Sequence, residues 1–359
     1  MRGKISNWQL GALLSFTVLS TGLFLMGHMV EKFAGRDSWL MPFTLFVFIN
    51  AAGLLWATLA RRFSTLTLVQ YCPLILGKPL GYIVNFLYLW FFVFVLATVT
   101  REFVEVINLF LPMVSPSLLG GTMLALCIYA AWLGLEVIAR SGVHVIVLLV
   151  AITLVHFFSI IPQADWSALQ PVLANGLSPV LKSSWYAFAF AGEMVIVLML
   201  FPQLAGQATV SRAFLGASVL ICILALFFTV ISTTILGPIV ARLYFPYLML
   251  ARLAPMRIDV LIFISWVSGL FIKLAFLLYV SNLALVQVFQ LRDANRTLLP
   301  LAFLGAVLSI VLYPTGLGVY DFVANVWPAY GLTMEVLLPL ALLLVAVVRR
   351  VSRQEEGKG

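Results

Sequence analysis

Charge is what this chain has least of. Asp, Glu, Lys and Arg make up 9% of its 359 residues, against 63% hydrophobic residues. No soluble core of this length can hide so much apolar surface, so the solvent is lipid. Histidine is almost missing: His28, His144 and His156 are the three, and none sits in an HExxH or comparable spacing. His144 and His156 are out of phase on a helix by about a third of a turn. A metal site is therefore not expected. Cys72, Cys127 and Cys222 lie far apart with no CxxC pair, which argues against a disulfide framework. There is neither a phosphate loop nor a Ser-His-Asp constellation, so the sequence reads as a non-enzyme without a cofactor. The formal charge is +8, but the basic residues are scattered singly or in pairs between apolar runs. That scatter suits membrane orientation better than nucleic acid.

What is abundant is apolar sequence in lengths of about 20 residues, the span of a bilayer-crossing helix. Ten candidate spans follow, at 7–27, 39–60, 80–106, 117–137, 142–162, 184–203, 213–238, 258–291, 297–314 and 330–348. The chain is expected to form a single all-α transmembrane domain. The first span is too long for a signal-peptide core and has no small-residue cleavage site after it. Trp8, Trp39, Tyr82, Trp166 and Trp185 fall near span ends, where an interfacial belt belongs. Pro112 and Pro116, then Pro162 to Pro179, then Pro314 to Gly318 punctuate the connections. With ten spans both termini share a side. Thirteen Lys and Arg residues fall on that side and seven on the other, which places both termini in the cytoplasm.

Two spans carry interruptions. The sixth contains Phe190-Ala191-Gly192-Glu193, and the first contains Leu19-Ser20-Thr21-Gly22-Leu23. A carboxylate at membrane depth costs roughly 2.5–3.5 kcal/mol, so Glu193 reads as a group facing a cavity or a partner. The third and eighth spans are long; the eighth would reach about 48 Å as a helix, beyond an apolar thickness of roughly 30 Å. Interruptions at one and six, and long helices at three and eight, fit two five-helix halves, 7–162 and 184–348, related as an inverted repeat.

At this point the residues resemble a family. Lys4-Ile5-Ser6-x-x-Gln9-Leu10, Arg36-Asp37-Ser38-Trp39, Leu76-Gly77-Lys78-x-x-Gly81 and Arg101-x-Phe103-x-Glu105 are similar to stretches of the spore germinant receptor B subunits. These are the spore germination permease branch of the amino acid–polyamine–organocation superfamily. The most distinctive stretch is Tyr129-x-x-x-x-Gly134-x-Glu136-x-Ile138-Ala139-Arg140. Gly192-Glu193, Phe201-Pro202, Arg257-x-Asp259, Trp266 and Lys273 complete the series, with Asp259 standing where Glu is expected. The resemblance implies a subunit of the spore inner membrane that senses a small germinant, often an amino acid, beside an A subunit and a lipoprotein C subunit. A working amino acid permease, with or without a coupled proton, is the alternative on the same fold.

An amino acid is a zwitterion, so a site for it within lipid needs groups of both signs. Ser20, Thr21, Gly22, Phe190, Ala191, Gly192 and Glu193 are the candidate ligand-binding residues. Small residues at the first interruption either let a ligand reach backbone or let helices pack closely. Glu193 and Lys273 are the candidate ion- or proton-coupling residues. The two either serve the ligand or form a fixed structural pair, since Lys273 is too deep in its span to snorkel easily. Arg101, Glu102 and Glu105 read as a surface group at the end of the third span, and Glu136 with Arg140 as a clamp at the fourth.

Overall fold

In the computed structural model residues 4–254 and 258–351 are described, with 23–25 and 316–317 given as backbone path alone. Arg2, Arg353 and Lys358 of the charge count, and Arg257 of the Arg257-x-Asp259 motif, lie outside the described residues.

The described chain is almost entirely helical. α1 covers Asn7–Ala34 and opens with a capping box, in which Ser6 and Gln9 satisfy each other's backbone N–H groups. α2 (Met41–Arg62) starts at Pro42, where a missing N–H costs nothing. A short α3 (Leu68–Leu76) turns at Gly77, φ +82°, into the 31-residue α4 (Lys78–Asn108). Here a side chain is impossible: a Cβ on Gly81 would lie 2.3 Å from the Pro73 Cα. α5 (Pro116–Leu133) and α6 (Leu135–Ile160) meet at Gly134, φ +101°, a left-handed turn that glycine adopts without strain. α7 (Ser178–Ala191) gives way to a 3₁₀ segment, Gly192–Ile196, before one further turn, α8 (Val197–Leu200). α9 (Val210–Ile231), a short α10 (Pro246–Leu253) and the 31-residue α11 (Ile258–Val288) follow. Next come α12 (Asn295–Val311), α13 (Gly316–Asn325) and α14 (Trp327–Leu332), and after a π turn at Thr333–Leu337, α15 (Leu338–Val348).

Among the described residues eight helical stretches are long and apolar enough to cross a membrane. One of these, Met26–Arg62, joins the end of α1 to α2, and the 17-residue Asn295–Val311 is apolar but shorter. Counting α1 and α2 separately and adding α12 gives ten crossings among the described residues, as the sequence predicts. Their packing repeats with a shift of five spans. The first lies on the seventh (α1 on α9), and the sixth on the second (α7 on α2). The third lies on the ninth (α4 on α12), and the eighth on the fourth (α11 on α5). This is the five-plus-five arrangement of an inverted repeat. α4 and α11 cross at its centre.

Both ends of the described chain sit on one face of the bundle. Ile5 pairs with the strand-like segment after the sixth span, its N–H donating to the Gln203 carbonyl at 3.0 Å and its carbonyl accepting from Ala205 at 3.0 Å. Arg61, at the end of α2, donates to Ser211 Oγ at 2.7 Å, and Arg62 Nε donates to the Val351 carbonyl at 2.6 Å.

The interruption of the sixth span is the 3₁₀ segment at Gly192. The first span differs: α1 stays α-helical through Ser20-Thr21-Gly22. One glycine costs a helix about 1 kcal/mol, whereas each unpaired backbone group in lipid costs several, so this glycine alone does not open α1. α3 and α13 were not foreseen, because helices of nine and ten residues leave no bilayer-length apolar run.

Candidate ligand and ion site

α11 passes α1 at mid-depth, and Lys273 reaches from it into the core. The lysine has no exposed surface at all. Its Nζ donates to the Thr17 carbonyl at 2.6 Å and to Thr21 Oγ1 at 2.8 Å. It forms an ion pair with Glu193 Oε2 at 2.8 Å. Two turns nearer the start of α11, Trp266 Nε1 donates to the Ser20 carbonyl at 2.7 Å. Two carbonyls of a continuous helix are thus drawn upon by α11, at the place where the sequence shows its small polar residues. The first span contributes oxygen atoms to the site without unwinding.

Glu193 is the second residue of the 3₁₀ segment. Tightening from α to 3₁₀ leaves backbone groups of the sixth span poorly paired at this point. Trp327 Nε1 takes one of the carbonyls just before it, that of Ala189, at 2.9 Å. Gly192 makes room for its neighbour across the bundle: a Cβ there would fall 1.8 Å from Glu335 Oε2 and would have to displace that carboxyl.

Glu335 is the residue that the sequence reading passed over. It lies in the π turn of the tenth span, is fully buried, and has no hydrogen-bond partner for either carboxyl oxygen. Its backbone is firmly held: Trp56 Nε1 donates to the Glu335 carbonyl at 2.7 Å and Tyr88 to that of Met334 at 3.1 Å. The signal available was a lone acid in the apolar run 330–348, as it was for Glu193. Glu102 also needs correction. It is not part of a surface group; it is buried in α4, with one carboxyl oxygen unpartnered. Arg101 and Glu105 do pair, Nε to Oε1 at 2.7 Å, but inside the bundle. Glu136 and Arg140 form an ion pair in a more open setting, as their spacing predicts, but at the start of α6, the fifth span, because Gly134 ends the fourth before them.

The structure therefore brings together Thr21, Gly192, Glu193 and Lys273, and adds Glu335 beside Gly192. Ser20 is adjacent, its hydroxyl buried and unpartnered. Phe190 is buried one turn earlier, on a narrow cavity with Met26, His28, Tyr186 and Tyr320, and Ala191 is buried at the end of α7. Gly22 lies on the α1 backbone next to Thr21. Unpartnered oxygens at Ser20 and Glu335 with a single ammonium at Lys273 leave polar capacity unused, which a ligand carrying N–H groups can satisfy.

The family model described as "Spore germination protein" matches residues 4–316. The chain belongs to this family. Among curated relatives, spore germination protein KB of Bacillus subtilis is 28% identical, over all of this chain and 98% of its own length. Spore germination protein XB of Bacillus anthracis is 23% identical, covering 90% of this chain and 93% of that protein. Among solved structures, MhsT in complex with L-phenylalanine superposes with a TM-score of 0.64 at 13% identity, over 97% of this chain and 99% of that one. A Na⁺-coupled sialic acid symporter gives a TM-score of 0.67 at 12% identity, over 97% and 84%. At such identities the likeness shows the fold alone. The chain is an integral membrane member of the spore germination family, built on a transporter fold.

Proposed function

We propose that this chain is the germinant-sensing subunit of a spore germination receptor in the spore inner membrane, both termini cytoplasmic. It binds a small zwitterion, an amino acid, at mid-membrane and passes the resulting change to A and C subunits. The observation that carries this reading is the ion pair Glu193–Lys273, buried beside the 3₁₀ break of the sixth span. Glu193 offers a carboxylate to a ligand ammonium. Lys273, once released from Glu193, offers an ammonium to the ligand carboxylate, while Thr21 and the Thr17 carbonyl hold it in place. The ligand then exchanges one internal pair for two pairs with itself. Such an exchange requires α11 and the sixth span to separate, which is the conformational change that partner subunits can sense.

Family membership supports the receptor role, and the symporter-like fold supports a mid-membrane small-molecule site. The test is purification, reconstitution into liposomes, and measurement of binding and uptake of radiolabelled amino acids in one preparation. Saturable binding without uptake is expected. Uptake through the wild-type chain would make it a permease and overturn the receptor reading. Glu193→Gln is expected to lose binding while Glu136→Gln, at the exposed clamp, keeps it.

A further inference from the structure

A cavity of about 640 Å³, with charged groups among apolar walls, opens at the far end of α1, on the face opposite both chain ends. Glu31, Lys32 and Arg36 line it from α1 and the turn that follows. Gln170 and Asn175 line it from the long 161–177 connection, and Thr233 from the π turn after α9. Glu31 is buried at its floor, only 6% exposed, whereas Lys32 and Arg36 are exposed at its rim. Glu31 accepts a hydrogen bond from Thr233 Oγ1 at 3.4 Å, and Ser38 in turn meets Thr233 at 2.9 Å. These are neutral hydroxyls. Among the described residues no ion pair involves Glu31. A carboxyl withdrawn from water with only hydroxyl support is held in its charged form by an added positive charge, which a bound ammonium group can supply.

The walls of this cavity are fixed in place. The Arg36 guanidinium donates to the Gln170 carbonyl, and Asp37 Oδ1 accepts from the Leu173 N–H at 2.9 Å. The Asp165 N–H donates to the Thr234 carbonyl at 3.0 Å. The connection is thus tied to both α1 and the end of α9, and the volume between them falls in the range of small-molecule pockets.

The geometry points to a second binding site here for a small zwitterion, its ammonium on Glu31 and its carboxylate toward Lys32 and Arg36. An acid at the floor and cations at the rim suit an α-amino acid, whose two charges lie on adjacent carbons. Glu31 is ten residues from Thr21 along one unbroken helix, about 15 Å. The two sites share α1, so a ligand at the rim meets the same element that holds Lys273 below. This inference rests on the amino acid reading of the mid-membrane site for its choice of ligand, and the following experiment separates the two.

Asn175→Cys, placed in a Cys222→Ser chain, puts a thiol on the cavity wall; Cys72 and Cys127 are buried. Its labelling by a membrane-impermeant maleimide is measured in liposomes with and without each of twenty amino acids. At least one amino acid is expected to slow labelling several-fold. Its amide, which keeps the ammonium alone, and its N-acetyl form, which keeps the carboxylate alone, are expected to protect weakly. Protection should persist with Glu193→Gln and disappear with Glu31→Gln, which retains the Thr233 contact. Ala168→Trp, which fills the cavity without altering charge, should also abolish it. Equal protection by the N-acetyl form, protection unaltered by Glu31→Gln, or protection lost with Glu193→Gln would each overturn the outer site. Protection that persists when the wild-type chain shows no mid-membrane binding would overturn the deeper reading and leave this one standing.

Discussion

At the residue scale the ion pair Glu193–Lys273 decides most of what can be tested. Breaking a buried pair by removing one partner costs about 3–5 kcal/mol, because the other charge is left buried and uncompensated. Glu193→Gln and Lys273→Met are each expected to lower thermal stability in detergent by that order. The double variant Glu193→Gln with Lys273→Met should recover most of the loss, while ligand response stays absent. A double variant no more stable than either single one would show that Lys273 is held by the Thr17 carbonyl and Thr21, not by Glu193. Both partners were legible in the sequence as charges stranded in apolar runs. Their contact was not, since they stand 80 residues apart and no local pattern links them. Glu335 was equally visible as a lone acid. It drew no notice because nothing in the sequence beside it is broken, and the π turn that turns its carboxyl toward Gly192 has no sequence signature of its own.

At the scale of elements, the sixth and tenth spans carry their irregularities face to face, a 3₁₀ segment against a π turn. Gly192 is where they meet. Gly192→Ala forces its methyl group onto the Glu335 carboxyl and is expected to destabilise the fold by roughly 1–3 kcal/mol, as overpacking does. Adding Glu335→Ala removes the obstructing carboxyl and should return most of that stability, readable as a recovered melting temperature. A different outcome is expected at Gly81. There the obstacle is the Pro73 backbone, so no second substitution can relieve Gly81→Ala, and the expected result is loss of folded protein in membranes. The span pattern was readable because bilayer thickness imposes its length on every helix. The unbroken α1 was not, because Ser20-Thr21-Gly22 looks alike in a helix that unwinds and in one that lends its carbonyls to a neighbour.

At the scale of the whole molecule, the ties from Ile5 to Gln203 and from Arg62 to Val351 gather both ends of the described chain on one face, which we propose, from the Lys and Arg excess, to be the cytoplasmic one. Lys4→Cys is then expected to resist an impermeant thiol reagent in intact cells, and Lys182→Cys, across the bundle, to react. The reverse pattern would invert the orientation and place the Glu31 cavity inside. The five-plus-five packing was foreseen from the pairing of interruptions and long spans, whereas the outer cavity was not, because it is assembled from three connections distant in sequence. The neutrality of the Glu193–Lys273 pair has one further consequence, an electrical one. A zwitterion that inserts into a neutral pair carries no net charge through the membrane field, where each unbalanced elementary charge would feel about 2.3 kcal/mol per 100 mV. The affinity of liposome-embedded protein should therefore be indifferent to an imposed diffusion potential. An affinity that follows the voltage would mean that a proton travels with the ligand, and Glu102 and Glu335 are the acids placed to carry it.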